Sequence, residues 1–296
     1  ETAQAVYDMN IIALKVAEKV MLPVIVGFDG FFTSHQKRRT QVIANDQDVQ
    51  DFIGKYDPEY TALNTAKPAT FGSYMNEPDI INNKYQLHLA MEDARGVIQE
   101  VFSEFETLTG RKYNTLEAYK MEDAEAAIFV LGSAYGSVKV AVDNLRVQGK
   151  KVGVFTTNIM RPWPADAIYN MCKDLKSLVV LDRQDSYGAG GGNMSLEIKA
   201  TLQDHQSSVE VASRVYGLSG KDFYVEDAEK VFEIALDLAD KKEVAKFDYY
   251  GHYKGQEGYK PTQYFDPFTQ EELSPQFTTV TEDPETKMMK VKGALV

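Results

Sequence analysis

From Ala126 to Asp240 the apolar positions alternate between two kinds of run. Short, almost wholly apolar stretches, "AAIFVLG", "KKVGVFTT", "KSLVVLD" and "SVEVASRVYG", read as strands. Between them, "YGSVKVAVDNLRVQG", "PADAIYNMCKDL", "MSLEIKATLQD" and "VEDAEKVFEIALDLAD" place apolar residues three and four apart, the spacing of amphipathic helices. Strands apolar at nearly every position are buried on both faces, and helices alternating with them predict βαβ units with a parallel sheet.

The pattern before this region is less regular. Ala3, Val6, Ala13, Leu14 and Ala17 predict a helix over about 3–19. "MLPVIVG" then predicts a buried strand at 22–28 that stops at Asp29-Gly30, and a further helix is expected around 45–54. The stretch from Lys55 to Lys84 has no period but carries Tyr56, Tyr60, Phe71, Tyr74 and Met75, which suggests that it lies against another surface. A long helix is predicted from about 84 to 109, closed by Gly110. Residues 241–296, rich in Tyr, Pro and Thr, predict an extended arm. The expected division is therefore 1–113, 114–240 and 241–296.

Composition narrows the function. With 296 residues and 44% hydrophobic content, the chain can bury a substantial core. Its net charge of −12 argues against a general nucleic-acid binder, since phosphate contacts need clustered cations and only Lys37-Arg38-Arg39 supplies a cluster. No apolar run approaches the ~20 residues of a membrane helix. The single cysteine, Cys172, sits in a helical pattern and reads as an inert core thiol in a reducing, cytoplasmic compartment. The pattern opens inside a helix at Glu1, without a methionine or signal peptide, which reads as a piece of a larger subunit.

Candidate chemistry gathers where strands end. Asp29, Gly30, Phe31, Ser34 and His35 follow the predicted strand at 22–28, the end at which α/β proteins place their sites. Ser34 and His35 are adjacent, and on a strand adjacent side chains point apart, so a Ser-His nucleophile pair is not expected. A turn or interface role is the bland alternative for this stretch. "GSAYGS" (132–137) and "GAGGGN" (188–193) each lie between strand and helix, the setting of a phosphate-binding turn, although close helix–strand packing is the commoner explanation for the first and a mobile loop fits the second equally well. Arg161 in "IMRPWPAD", Arg183, Gly190 and Gly191 are candidate loop contacts. No metal-ligand spacing links His88, His205 or His252. "GFDG" is similar to the start of a thiamine-diphosphate magnesium motif, but neither Asn45 nor Asn64 stands at the spacing that would complete it.

Four blocks in order carry a family resemblance: "ETAQAVYDMNIIALKVAEKVMLPVIVGFDGFFTSH", "VLGSAYGSVKVAVDNLRVQGKKVGVFTTNIMRPWP", "VVLDRQDSYGAGGG" and "VYGLSGKDF". Together they resemble the α subunit of the 2-oxoacid:ferredoxin oxidoreductases, typified by pyruvate:ferredoxin oxidoreductase, over residues 1–240. The resemblance implies an α/β chain: the second half of a pyrimidine-binding-type domain of a thiamine-diphosphate enzyme, then a parallel-sheet domain like the carboxy-terminal domain of transketolase. It implies oxidative decarboxylation of pyruvate or a related 2-oxoacid on thiamine diphosphate with magnesium. Electrons would pass through iron–sulfur clusters of partner chains to ferredoxin, usually with coenzyme A as acyl acceptor. The main catalytic groups and metal ligands would lie outside this segment, so Asp29 to His35 would edge the active site or brace a subunit interface. An oxalate-oxidising member of the family, a transketolase-like enzyme without ferredoxin, and a non-catalytic scaffold are the alternatives.

Overall fold

In the computed structural model, residues 2–31, 33–77 and 79–252 are described, with two backbone strands further on. Helix α1 (Ala3–Val20) starts at Thr2, whose hydroxyl accepts from the Ala5 amide at 3.1 Å, and closes at Met21 in the left-handed conformation. The short α2 (Asp46–Ile53) is capped by Asn45, and α3 (Asp79–Thr109) stops where Gly110 turns at φ +71. Ile12 and Val16 of α1, Phe52 of α2 and Ile98, Val101, Phe102 and Phe105 of α3 bury one another in a helical core.

The strand expected at 22–28 is absent. The segment is neither helix nor strand, no described segment pairs with it, and Ile25 is 93% exposed. An apolar run becomes a buried strand only where neighbours meet its backbone on one or both edges and its side chains on two faces. Here it has neither. The long helix, in turn, begins at Asp79, five residues before the expected start.

The second core is a six-stranded sheet in the order β1-β3-β2-β4-β5-β6. β2 (Ala126–Val130), β3 (Val152–Thr157), β4 (Ser177–Asp182) and β5 (Glu210–Val215) run parallel, as the apolar runs predict. Ala127, Phe129, Phe155, Leu178 and Val180 share a core with Ile168 and Cys172 of α5 (Ala165–Cys172) and Ile198 of α6 (Asn193–Asp204). The alternate strand residues point to the other face, where α4 (Ala134–Val147) packs against α7 (Val225–Ala239). Phe129 and Phe155 meet edge to face, their centroids 5.2 Å apart. Two strands fall outside the pattern: β1 (Leu116–Tyr119), antiparallel to β3, and β6 (Phe247–Tyr249). The expected arm at 241–296 is thus corrected at its start, where 247–249 forms an edge strand of the sheet.

Residues 1–248 form one compact unit. In the second unit, 249–296, the described part holds an antiparallel pair, β7 (Thr279–Glu282) with β8 (Met289–Lys292). The rest of the expected arm lies outside the described residues. No described helix is long and apolar enough to cross a membrane.

Candidate functional site

At the carboxyl end of β2 the chain turns through Gly132 and enters α4 at Ser133. The first turn of α4 contains no acid, and its first amides have no intrahelical acceptor. Asp29 supplies one: its Oδ2 accepts from the Ser133 amide at 2.6 Å, across 104 residues of sequence. Gly132 makes room for this contact. It sits at φ +74, and a Cβ there would lie 2.6 Å from Asp29 Oδ1. Arg183, just after β4, brings Nη1 to 3.6 Å from the same carboxylate, and its guanidinium lies 5.3 Å from the Tyr216 ring. Burial, above all, pushes the Tyr216 phenol up to about 12. The acid that ends the apolar run at 22–28 is therefore a cap for a helix of the sheet domain.

After Asp29 the chain folds into a small turn. Phe31, not Gly30, takes the left-handed conformation, at φ +59. The Phe31 amide donates to Ser34 Oγ at 3.0 Å, and the His35 amide donates to the Phe31 carbonyl at 3.1 Å. Ser34 Oγ lies 2.6 Å from His35 Nδ1, and the His35 ring stacks on Phe31 at 5.1 Å. The expectation that these side chains point apart is corrected: it holds on a strand, whereas here the backbone turns. The hydroxyl is exposed and already accepts an amide, so the pair lacks the buried, oriented base of a serine nucleophile.

Beside this turn opens a cavity of about 580 Å³. Its walls come from the first turns of α1 and α4, the 33–39 segment, Arg183 and Phe223. Arg38 and Arg39 line it, Arg38 donating to Gln36. These two arginines are visible in the sequence as a basic cluster, but only the fold brings them beside Arg183.

The remaining candidates gather around α6. Arg161 pairs with Glu197 and donates to the Met160 carbonyl at 2.7 Å, and the Gly190 carbonyl accepts from Lys199 at 2.9 Å. Gly191 adopts φ +150, and a Cβ there would lie 2.8 Å from Ser195 Oγ and 2.7 Å from Ser213 Oγ. The helix start behind this loop is already occupied, because Asp182 accepts from the Met194 and Ser195 amides at 3.0 and 3.1 Å. Burial pushes the Asp182 carboxyl above its ordinary range, against the lowering effect of those two amides. Of the sequence candidates, Asp29 and Arg183 meet at one place, Ser34 and His35 form the adjoining turn, and Arg161 and Gly190 bond to the α6 side chains of Glu197 and Lys199. Among the described residues no cluster of three His, Cys, Asp or Glu side chains could hold a metal ion.

Two family models match the chain in order. One, described as "Pyruvate flavodoxin/ferredoxin oxidoreductase, thiamine diP-bdg", covers residues 1–103. The other, "Pyruvate:ferredoxin oxidoreductase core domain II", covers 124–228. The pyruvate synthase subunit PorA of Thermotoga maritima is 38% identical over 238 residues, covering 80% of this chain and 60% of that protein. The ketoisovalerate oxidoreductase subunit VorA of Pyrococcus abyssi is 32% identical over 234 residues, 79% of this chain and 59% of that protein. A solved structure of a 2-oxoglutarate:ferredoxin oxidoreductase from Magnetococcus marinus aligns at a TM-score of 0.37 and 15% identity, over 62% of this chain and 29% of that one. The chain spans about 60% of the length of the curated relatives it matches.

Proposed function

The chain belongs to the 2-oxoacid:ferredoxin oxidoreductase family, in the region corresponding to the α subunit, and from that membership we propose that it works as a domain-supplying part of a multi-chain enzyme. That enzyme would oxidatively decarboxylate a 2-oxoacid and pass the electrons to ferredoxin in the cytoplasm. The observation that carries this reading is the pair of family matches, in order, over 1–103 and 124–228. Pyruvate is the proposed substrate, after the PorA relatives; a branched-chain 2-oxoacid, after the VorA relatives, is the second reading. We assign residues 1–113 to the cofactor-facing half-domain and 114–240 to the sheet domain.

Thiamine diphosphate would supply the nucleophilic carbon for decarboxylation. Magnesium and iron–sulfur clusters do not fit the described residues: no three metal-binding side chains converge, and the one cysteine is buried. Those groups are assigned to other chains, and coenzyme A would be the acyl acceptor. The part of this chain is to position. Asp29 ties the 30–36 turn to the start of α4, and Arg183 braces the same carboxylate. Ser34 engages Nδ1 of His35, and this turn would edge the active site or brace a subunit interface.

The test is native mass spectrometry of the anaerobically isolated assembly, followed by ferredoxin reduction with pyruvate and with 2-ketoisovalerate. Co-purifying chains that carry thiamine diphosphate and iron–sulfur clusters, with pyruvate the faster substrate, are expected. Preference for 2-ketoisovalerate would favour the second reading. A cofactor-free assembly, inactive with both acids, would sink both readings and favour a scaffold.

A further inference from the structure

We propose that residues 184–191 form a displaceable strap with two positions. In the seated position, the one in this structure, Gly191 closes over the hydroxyls of Ser195 and Ser213; in a lifted position both hydroxyls reach water. The inference is drawn from the geometry of this loop and does not depend on the oxidoreductase reading.

The buried side of the loop is the first ground. Ser195, in the first turn of α6, and Ser213, on β5, are both fully buried. Among the described residues neither Oγ has a hydrogen-bond partner. An unpaired buried hydroxyl is costly, so two of them side by side call for a reason. Gly191 is what covers them. It sits at φ +150, in the half of backbone space that favours glycine, and a Cβ on it would lie 2.8 Å from Ser195 Oγ and 2.7 Å from Ser213 Oγ. Its methylene group offers the hydroxyls neither a strong donor nor an acceptor. The Ser195 amide is already satisfied, donating to Asp182 at 3.1 Å, so the hydroxyl alone is left over. The seated strap therefore holds two polar groups away from water with nothing to bond.

The second ground is how the outer side is held. Gln184 Oε1 accepts from the Asn193 amide at 3.0 Å, Ser186 Oγ donates to Asn193 Oδ1 at 2.8 Å, and the Gly190 carbonyl accepts from Lys199 at 2.9 Å. These bonds to α6 lie at the surface, where water competes for the same groups. Tyr187, the one large side chain of the strap, is 80% exposed and so packs little of its ring against the body of the protein. Its backbone stands at φ +20, outside the conformations an ordinary residue prefers. Beyond the strap the chain is pinned again: a Cβ on Gly192 would lie 2.3 Å from Asp182 Cβ. Both ends of the strap thus leave from one close-packed point, at Asp182 and Gly192, and the segment between them can lift without disturbing β4 or α6.

The test is thiol labelling of a Ser195→Cys variant of the full chain in its native assembly, with the buried Cys172 of the same molecule as the internal reference. A thiol at position 195 is reached when the strap lifts, whereas Cys172 is reached only when the sheet domain itself opens. Position 195 is expected to react at least about tenfold faster than Cys172. Adding Gly191→Ala, whose Cβ unseats the strap, should speed it about tenfold again. Equal rates at position 195 and Cys172 would overturn the proposal. Ser213→Ala supplies a second measurement that leaves α6 unaltered, and it decides the matter even if Gly191→Ala fails to fold. It removes a hydroxyl that is unpaired only in the seated position, so the melting temperature should stay level or rise. A fall of about 2–4 °C, the size expected for one lost hydrogen bond, would show that the hydroxyl is bonded beneath the strap and would also overturn the proposal. Neither readout is turnover, so failure here leaves the oxidoreductase reading where it stands, and the converse also holds.

Discussion

The buried carboxylate of Asp8, in the second turn of α1, receives Nε and Nη2 of Arg111 at 2.7 and 2.8 Å. The Tyr113 hydroxyl donates to the same group at 2.6 Å. The three residues tie the start of the chain to the crossover into β1. The carboxylate beside Arg111 holds its guanidinium above the ordinary range, and burial foremost, with Asp8, does the same for the Tyr113 phenol.

Removing the acid leaves a guanidinium and a phenol without their acceptor. Asp8→Ala is expected to cost about 3 kcal/mol in urea unfolding, because breaking one side of a buried pair strands the other. Tyr113→Phe should cost about 1 kcal/mol, the worth of one hydrogen bond. A loss well under 1 kcal/mol for Asp8→Ala would show that solvent replaces the pair and that it does not hold the helix to the crossover.

Gly132 and Asp29 should behave as a coupled pair. Gly132→Ala places a Cβ against the Asp29 carboxylate at a backbone angle costly for alanine, and is expected to destabilise by about 2 kcal/mol. In an Asp29→Ala background the steric part disappears and only the backbone strain remains, about 1 kcal/mol. A double-mutant cycle in thermal melts measures the difference. Strictly additive effects would mean that the carboxylate moves away freely and does not cap α4.

Cys172 yields a pH prediction. Burial pushes its thiol up to about 12 from an ordinary value of 9.0. Between these values the unfolded chain loses the proton while the native chain keeps it. The stabilising contribution is therefore complete below about pH 9 and lost as pH rises toward 12. Stability measured from pH 8 to 11 should fall, and Cys172→Ala should fall less steeply. Native protein at pH 8.5 should also resist alkylation that proceeds at once in denaturant. Rapid alkylation of the native thiol would contradict its burial.

How much of this could be read from sequence differs from element to element. The runs at 126–130, 152–157, 177–182 and 210–215 read as strands and are strands, because each is apolar at nearly every position and each finds a neighbour in the same unit. Leu116–Tyr119 gives no such signal: four residues at the sheet edge need only one paired side, and half-exposed side chains carry little pattern. The run at 22–28 shows the reverse case. Its composition is that of a buried strand, but pairing is a property of two segments, and this one has no described partner. The neighbouring aromatic stretch keeps Leu63 91% and Tyr74 88% exposed for the same reason.

The candidate site divides along the same line. Asp29, Ser34, His35 and Arg183 can be singled out from sequence because polar groups at the end of an apolar run need a reason to be there. That Asp29 caps a helix 104 residues away, or that Arg38 and Arg39 face Arg183, could not be foreseen, since no local pattern encodes a distant partner.

Sequence alone determined the helices, the parallel strands and the family, because each depends on local periodicity or on ordered blocks of residues. Tertiary structure alone decided which apolar run became a strand, which amides Asp29 satisfies and where three arginines converge. The physical reason is that hydrogen-bond and charge partners are matched in space, and contacts about 100 residues apart in sequence leave no trace in the pattern of either segment.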